Sequence, residues 1–350
     1  MEEEKQKLYN PVIDILRTIS ILAVILIHTT TRTLEVTSYN LLKTPWTLFL
    51  NQAARFAVPL FFMISGFVLE LNYHLHESYF TYLKKRFSRI FIPYVFWSAI
   101  YYYFIYNKSH GANFLNSILK GDASYQLYFI PSLLIFYLLF PLIHKYFRLL
   151  GNKWIMIALG LSELLLLYHD YNIKPLQFYY PLSIALLNYF VFILGMSLAR
   201  NQEVFFNFIR RWKLVLFFGT IIFAFLVFFE GLTGYLATHN YLAFYSSWRP
   251  SVLVYTLFFA GFTYWAFDHK LKFISAIKTF SRLSFFVFFT HVIFLEAIWY
   301  GFLKNVFEQS HGTIAQTLWY DPLYFLAVTI ISFGVAFIVH KIPYLSKLTG

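Results

Sequence analysis

Residues 11–31 read PVIDILRTISILAVILIHTTT, an apolar run broken only by Asp14, Arg17 and His28 among side chains that can carry charge. About 20 mainly apolar residues in a helix cross the hydrocarbon layer of a bilayer, so this run reads as a membrane-spanning helix. Its charged leader, Met1 to Asn10, resembles the start of a signal peptide. No small-residue cleavage site follows, and Arg17 and His28 interrupt the run. Nine more runs follow, at roughly 50–71, 87–107, 125–144, 153–169, 180–199, 213–230, 250–267, 282–300 and 323–340. Prolines 59, 93 and 131 lie inside such runs, where neighbours can satisfy the carbonyls they free.

Composition agrees. Of 350 residues, 59% are apolar and 13% charged, against about 25% charged in a soluble domain. The 44 Phe and 28 Tyr suit packed or lipid-facing helices and the membrane interface respectively. The expected fold is therefore all-α: a polytopic integral membrane bundle of about ten transmembrane helices. It forms a single domain over 1–350, without repeat, low-complexity tract or long linker. Absence of cysteine excludes disulfides, thiol catalysis and Cys-ligated metals. The net charge of +12 could suit nucleic acid, but basic cytoplasmic loops produce the same total. Lys and Arg number 19 on one set of helix ends, including Lys5, Lys7, Lys270, Lys272 and Lys347, and 7 on the other, including Lys108 and Arg249. That asymmetry predicts both termini in the cytoplasm and an even helix count, with no nucleic-acid partner.

Ionisable groups inside a bilayer cost free energy and usually face the protein interior. Asp14 and Arg17 are spaced to pair at i,i+3. Arg17 and His28 are eleven residues apart, close to three turns, so they share a face roughly 16 Å apart along the axis. Alone, Arg17 also fits a snorkelling anchor and His28 a hydrogen-bonded interior histidine. In register, they favour a site with a cation at the inner end and a titratable imidazole at the outer. Arg86 and Arg89 share a face at the cytoplasmic start of the third run. They suit phosphate binding or are simply positive-inside charge. Arg55, level with His28, is a headgroup anchor or a holder of an anionic substrate. Ser65-Gly66-Phe67 suggests close helix packing. Glu163, Glu230, His291 and Glu296 occur in later runs, and His291 either packs or assists substrate binding. No HExxH, GxSxG or phosphate-cradling glycine loop occurs, and no metal is expected.

Four stretches together resemble the membrane acyltransferase-3 family. They are Ile13-Asp14-Ile15-Leu16-Arg17 followed at eleven residues by His28, Val58 to Phe67 (VPLFFMISGF), Arg86-Phe87-Ser88-Arg89 running into Pro93, and Tyr128-Phe129-Ile130-Pro131 through Phe140 to Ile143. The end around Phe289-Thr290-His291 is similar to the family's last shared helix. The resemblance implies transfer of an acyl group, acetyl by default, from cytoplasmic acyl-coenzyme A to a hydroxyl of a cell-surface glycan or lipid-linked sugar. A succinyl group is the variant implied by likeness to intercellular-adhesin enzymes. It implies His28 as catalytic base, Arg17 as its partner on the same helix, and Arg86 and Arg89 as donor-binding cations. No permanently bound cofactor is implied. Longer members append an extracytoplasmic hydrolase-like domain. Only ten residues follow the last run here, so acceptor chemistry is expected within the membrane domain or with a separate partner. The expected location is a cell membrane, of bacterial type from the compact size and low-charge loops. A transporter or flippase for a glycan or small anion is the competing reading. It shares the polytopic layout and buried charges but lacks an inverted-repeat signal.

Overall fold

The computed structural model describes residues 10–38, 40–73, 78–106, 113–267 and 274–342. Lys5, Lys7, Lys108, Lys270, Lys272 and Lys347 lie outside them. The described residues form helices and turns without a strand. In chain order the α-helices are α1 (Pro11–Val36), α2 (Pro45–Ala53), α3 (Ala57–Leu71), α4 (Tyr79–Ile100), α5 (Phe114–Lys120), α6 (Phe129–Lys145), α7 (Phe147–Leu150), α8 (Lys153–Asn172), α9 (Tyr180–Leu186), α10 (Tyr189–Arg200), α11 (Gln202–Arg211), α12 (Lys213–Thr238), α13 (Leu242–Tyr245), α14 (Pro250–Phe267), α15 (Ile274–Ile298), α16 (Lys304–Gln309) and α17 (Tyr320–His340).

Side-chain contacts fix how these rods run. Arg17 meets Ser281 and His28 meets His291, so α1 and α15 are parallel. Trp97 packs on Phe286 and Tyr101 donates to the Phe289 carbonyl, so α4 runs with them. Thr33 near the end of α1 and Thr47 near the start of α2 both donate to Asp321 at the start of α17, so α2 and α17 run the other way. Phe62 meets Phe129, while Glu70 pairs with His144 and Arg200; hence α3, α6 and α10 descend together. The molecule thus has a basic end, carrying Arg17, Arg86, Arg89, Arg200 and Arg282, and a histidine end beyond His28.

Among the described residues, six helical stretches are long and apolar enough to cross a membrane, or seven if the bent pair α9 and α10 counts as one. The protein is a multi-pass membrane protein. The other expected runs fall outside this set for local reasons. Helix α4 begins in the cluster Lys84, Lys85, Arg86 and Arg89, α6 has only 17 residues, and α8 carries Glu163, His169 and Asp170. Two expected spans are broken: α2 passes to α3 across Ala54–Phe56, and α9 meets α10 at a bend of 51°. Pro59 and Pro131 each sit at the third position of their helix, where a missing N–H has no intrahelical partner to lose. Where α3 crosses α10 the backbones touch. A Cβ on Gly66 would lie 2.1 Å from the Phe192 carbonyl oxygen, and one on Gly195 1.9 Å from that of Met63. The Ser65-Gly66-Phe67 stretch is therefore a packing seam.

Candidate functional site

Helix α1 presents Asp14, Arg17, His28 and Arg32 along a line that α15 follows with Ser281, Arg282, Phe288, His291 and Glu296. At the basic end the Arg17 guanidinium donates to Ser281 Oγ at 3.2 Å, and that hydroxyl donates to Asp14 Oδ1 at 2.6 Å. The expected Asp14–Arg17 pair exists, at 3.7 Å, with Ser281 inserted as a bridge. This bridge holds Arg17 at the wall of a cavity of about 330 Å³. Arg86, Arg89 and Arg282 line the same cavity, with Ser65 and Ser284 among its polar residues. The i,i+3 arginines of α4 and the arginine of α1 therefore face one volume. Arg282 joins them unforeseen, since in sequence it counts only as one more cation at a helix start. Its guanidinium also donates to His340 Nε2 at 3.3 Å.

At the other level, His28 and His291 stack with ring centroids 5.3 Å apart. The structure thus brings together two histidines separated by most of the chain. His291 is fully buried; its Nδ1 donates to the Val287 carbonyl at 3.0 Å. A carbonyl only accepts, so Nδ1 carries a proton, and in the neutral form of the ring the lone pair lies on Nε2. That Nε2 is buried with no hydrogen-bond partner. The Tyr125 ring also lies close, 4.8 Å from that of His28. No motif flagged Tyr125, which sits in the turn before α6 and reaches His28 only through tertiary folding.

Above the histidines an ion pair closes the line. Arg32, one turn beyond His28, binds Glu296, which lies beyond His291 on α15. Glu35 pairs with the same arginine at 3.3 Å. Two histidines, one cation and two carboxylates thus share the histidine end of the α1–α15 seam.

Arg55 lies at the expected depth but points elsewhere. It occupies the break between α2 and α3, 5% exposed. Its guanidinium donates to Asn51 Oδ1 and to the Tyr245 carbonyl. Asn51 in turn donates to the Ile27 carbonyl at 3.1 Å and to Thr30 and Thr31 at 3.0 Å each. Arg55 therefore bears on His28 through the Asn51 clamp around that turn of α1. Arg249, expected in a loop, is fully buried and donates to Gln52 Oε1, which carries the network on toward Asn51. Nothing in a single sequence marks Asn51 or Gln52, because their partners come from α1, α13, the α2–α3 break and the loop before α14. Glu163 is distant from this seam; its Oε2 accepts the Phe190 N–H at 2.6 Å and caps the start of α10.

The comparisons with known proteins fit this arrangement. An acyltransferase domain, that of the acyltransferase-3 family, matches residues 10–341. Curated relatives include the probable poly-β-1,6-N-acetyl-D-glucosamine export protein of Staphylococcus aureus strain MSSA476, 27% identical over 266 residues, covering 73% of each chain. The protein of the same description from Staphylococcus epidermidis is 25% identical over 273 residues, covering 73% of this chain and 72% of its own. No solved structure matches. A domain match that runs from the start of α1 past the end of α17 takes in both levels of the seam, and the chain belongs to the membrane acyltransferase-3 family.

Proposed function

We propose that this acyltransferase moves an acyl group, acetyl by default, from acyl-coenzyme A to a hydroxyl of a cell-surface polysaccharide or its lipid-linked precursor. The observation that carries the reading is the alignment on two parallel helices of a four-arginine cavity with a histidine pair. The levels are about 16 Å apart at 1.5 Å of rise per residue. Coenzyme A is a polyanion with a long arm ending in the thioester. Arg17, Arg86, Arg89 and Arg282 supply charge-assisted donors for its phosphates, and the arm points toward the histidines. His28 takes the proton of the attacking hydroxyl as general base. The new C–O bond forms as the thioester C–S bond breaks, and the proton passes to the departing thiolate. His291 backs His28 with a fixed tautomer, and Arg55 acts through Asn51. The coenzyme is a substrate here and no cofactor is held permanently. In this reading all ten runs cross the membrane, with the basic end and both termini in the cytoplasm.

Glycan export is the second reading, favoured by the description carried by the staphylococcal relatives. One assay separates the two. The purified protein is reconstituted in vesicles with acetyl-coenzyme A and a β-1,6-linked N-acetylglucosamine oligosaccharide. Coenzyme A release together with a mass gain of one acetyl group on the oligosaccharide is expected. Movement of the oligosaccharide across the vesicle membrane without coenzyme A release overturns acyl transfer in favour of export.

A further inference from the structure

The arginine cavity does not open freely onto the histidines. Its lining includes Phe129 and Phe288, whose ring centroids are 5.7 Å apart. The Phe288 ring in turn lies 6.4 Å from that of His291. Along α15, Arg282, Phe285 and Phe288 follow at intervals of three, the spacing of helix neighbours on one face, and all three line the cavity. His291 is the next residue in that series. The line from phosphate-binding charge to imidazole therefore passes through one phenylalanine.

The two aromatic rings are held differently. Phe129 is braced by Phe61, another lining residue, at 5.9 Å and by Phe62 at 4.7 Å. Phe288 stands between the cavity and the histidine pair, only 8% exposed. An acyl carbon attached to a thiol in the cavity must pass this ring to meet a hydroxyl activated at His28. A two-carbon group needs little displacement of it, and each further methylene must be housed against it.

We infer that Phe288, backed by Phe129, is the residue that sets acyl-group length. This rests on the acyl-transfer reading and adds to it a specificity determinant. Hydrophobic pockets discriminate by about 10- to 200-fold per methylene, so enlarging this one changes the ranking of donors.

The test compares coenzyme A release from acetyl-, propionyl- and butyryl-coenzyme A by full-length protein with the same oligosaccharide acceptor. Phe288→Ala is expected to raise the butyryl-to-acetyl rate ratio about tenfold. Phe288→Leu, which keeps an apolar packing side chain, is expected to give an intermediate ratio and guards against misfolding of the smaller variant. Phe62→Leu serves as control, because Phe62 braces Phe129 but does not line the cavity, and its ratio should match wild type. Unchanged ratios in folded Phe288→Leu and Phe288→Ala overturn the assignment alone, as does an equal shift in Phe62→Leu. Absence of release by wild type from all three donors overturns acyl transfer and the length gate with it.

Discussion

The seam between α1 and α15 and the crossing of α3 on α10 are built from opposite materials. At the crossing, glycines let the Met63 and Phe192 carbonyls approach to distances no side chain permits. Helices in lipid associate by such close van der Waals packing, because the membrane offers no hydrophobic drive to push them together. Along the seam, the residues are Asp14, Arg17, His28, Arg32, Ser281, His291 and Glu296, which are costly to place in a bilayer. The molecule concentrates tight apolar contact in one helix pair and polar groups in another. The first holds the rods in place, and the second uses that stability to keep ionisable groups at fixed spacing.

The sharpest way to break this contrast is to change one imidazole. His28→Gln is expected to lower acyl transfer by about 10²- to 10⁴-fold, the usual contribution of a general base, while the thermal unfolding of the detergent-solubilised protein stays near wild type. Glutamine keeps a hydrogen-bonding side chain but accepts no proton at neutral pH. A wild-type rate that rises with pH through imidazole titration should lose that rise in the variant. Normal turnover by well-folded His28→Gln protein would return His28 to the packing side of the comparison.

Gly195→Ala tests the other half. The added methyl group meets backbone, which cannot rotate away as a side chain would. Overpacking costs about 1–3 kcal/mol, and the Met63 carbonyl contact places this substitution at the upper end. Loss of folded yield and a lower unfolding temperature are expected, with activity per folded molecule retained. An equal stability in variant and wild type would mean that α3 and α10 separate easily, and that the seam is not held by this crossing.

What could be read beforehand divides along the same line. Arg17 and His28 share a helix, so 3.6-residue periodicity alone places them on one face, and Arg86 and Arg89 are visible for the same reason. His291 was visible as an in-span histidine, but not as the ring stacked on His28. Arg282 could not be told from a topological cation, since one loop lysine or arginine resembles another until its cavity is known. The depth of Arg55 is legible but its partners are not, because the break at Ala54–Phe56 turns its side chain toward Asn51 and the Tyr245 carbonyl. Periodicity reports which residues share a helix face. It is silent about which helix arrives opposite, and Tyr125 and Asn51 matter only through that.

Glu163 is the smallest and most discriminating case, because it is a buried carboxylate in the packing half of the molecule. Helix α10 starts after a 51° bend, so its first N–H groups have neither an intrahelical acceptor nor bulk water. Asn188 stands at the capping position, but its side-chain amide donates to the Ile184 carbonyl at 2.8 Å and makes no cap. Glu163, fully buried on the neighbouring α8, supplies the missing acceptor to Phe190. Glu163→Ala should therefore cost about 0.5–2 kcal/mol of stability, the usual price of a lost cap, and leave acyl transfer per folded molecule unchanged. Glu163→Gln keeps a carbonyl oxygen for the Phe190 N–H and should lose less. Thermal unfolding and coenzyme A release, measured on the same preparations, decide the point. A tenfold loss of turnover in stable Glu163→Gln protein would place this carboxylate in the chemistry and erase the division between the two helix pairs. Loss of stability alone would show that a buried carboxylate in this bundle can serve purely to begin a helix.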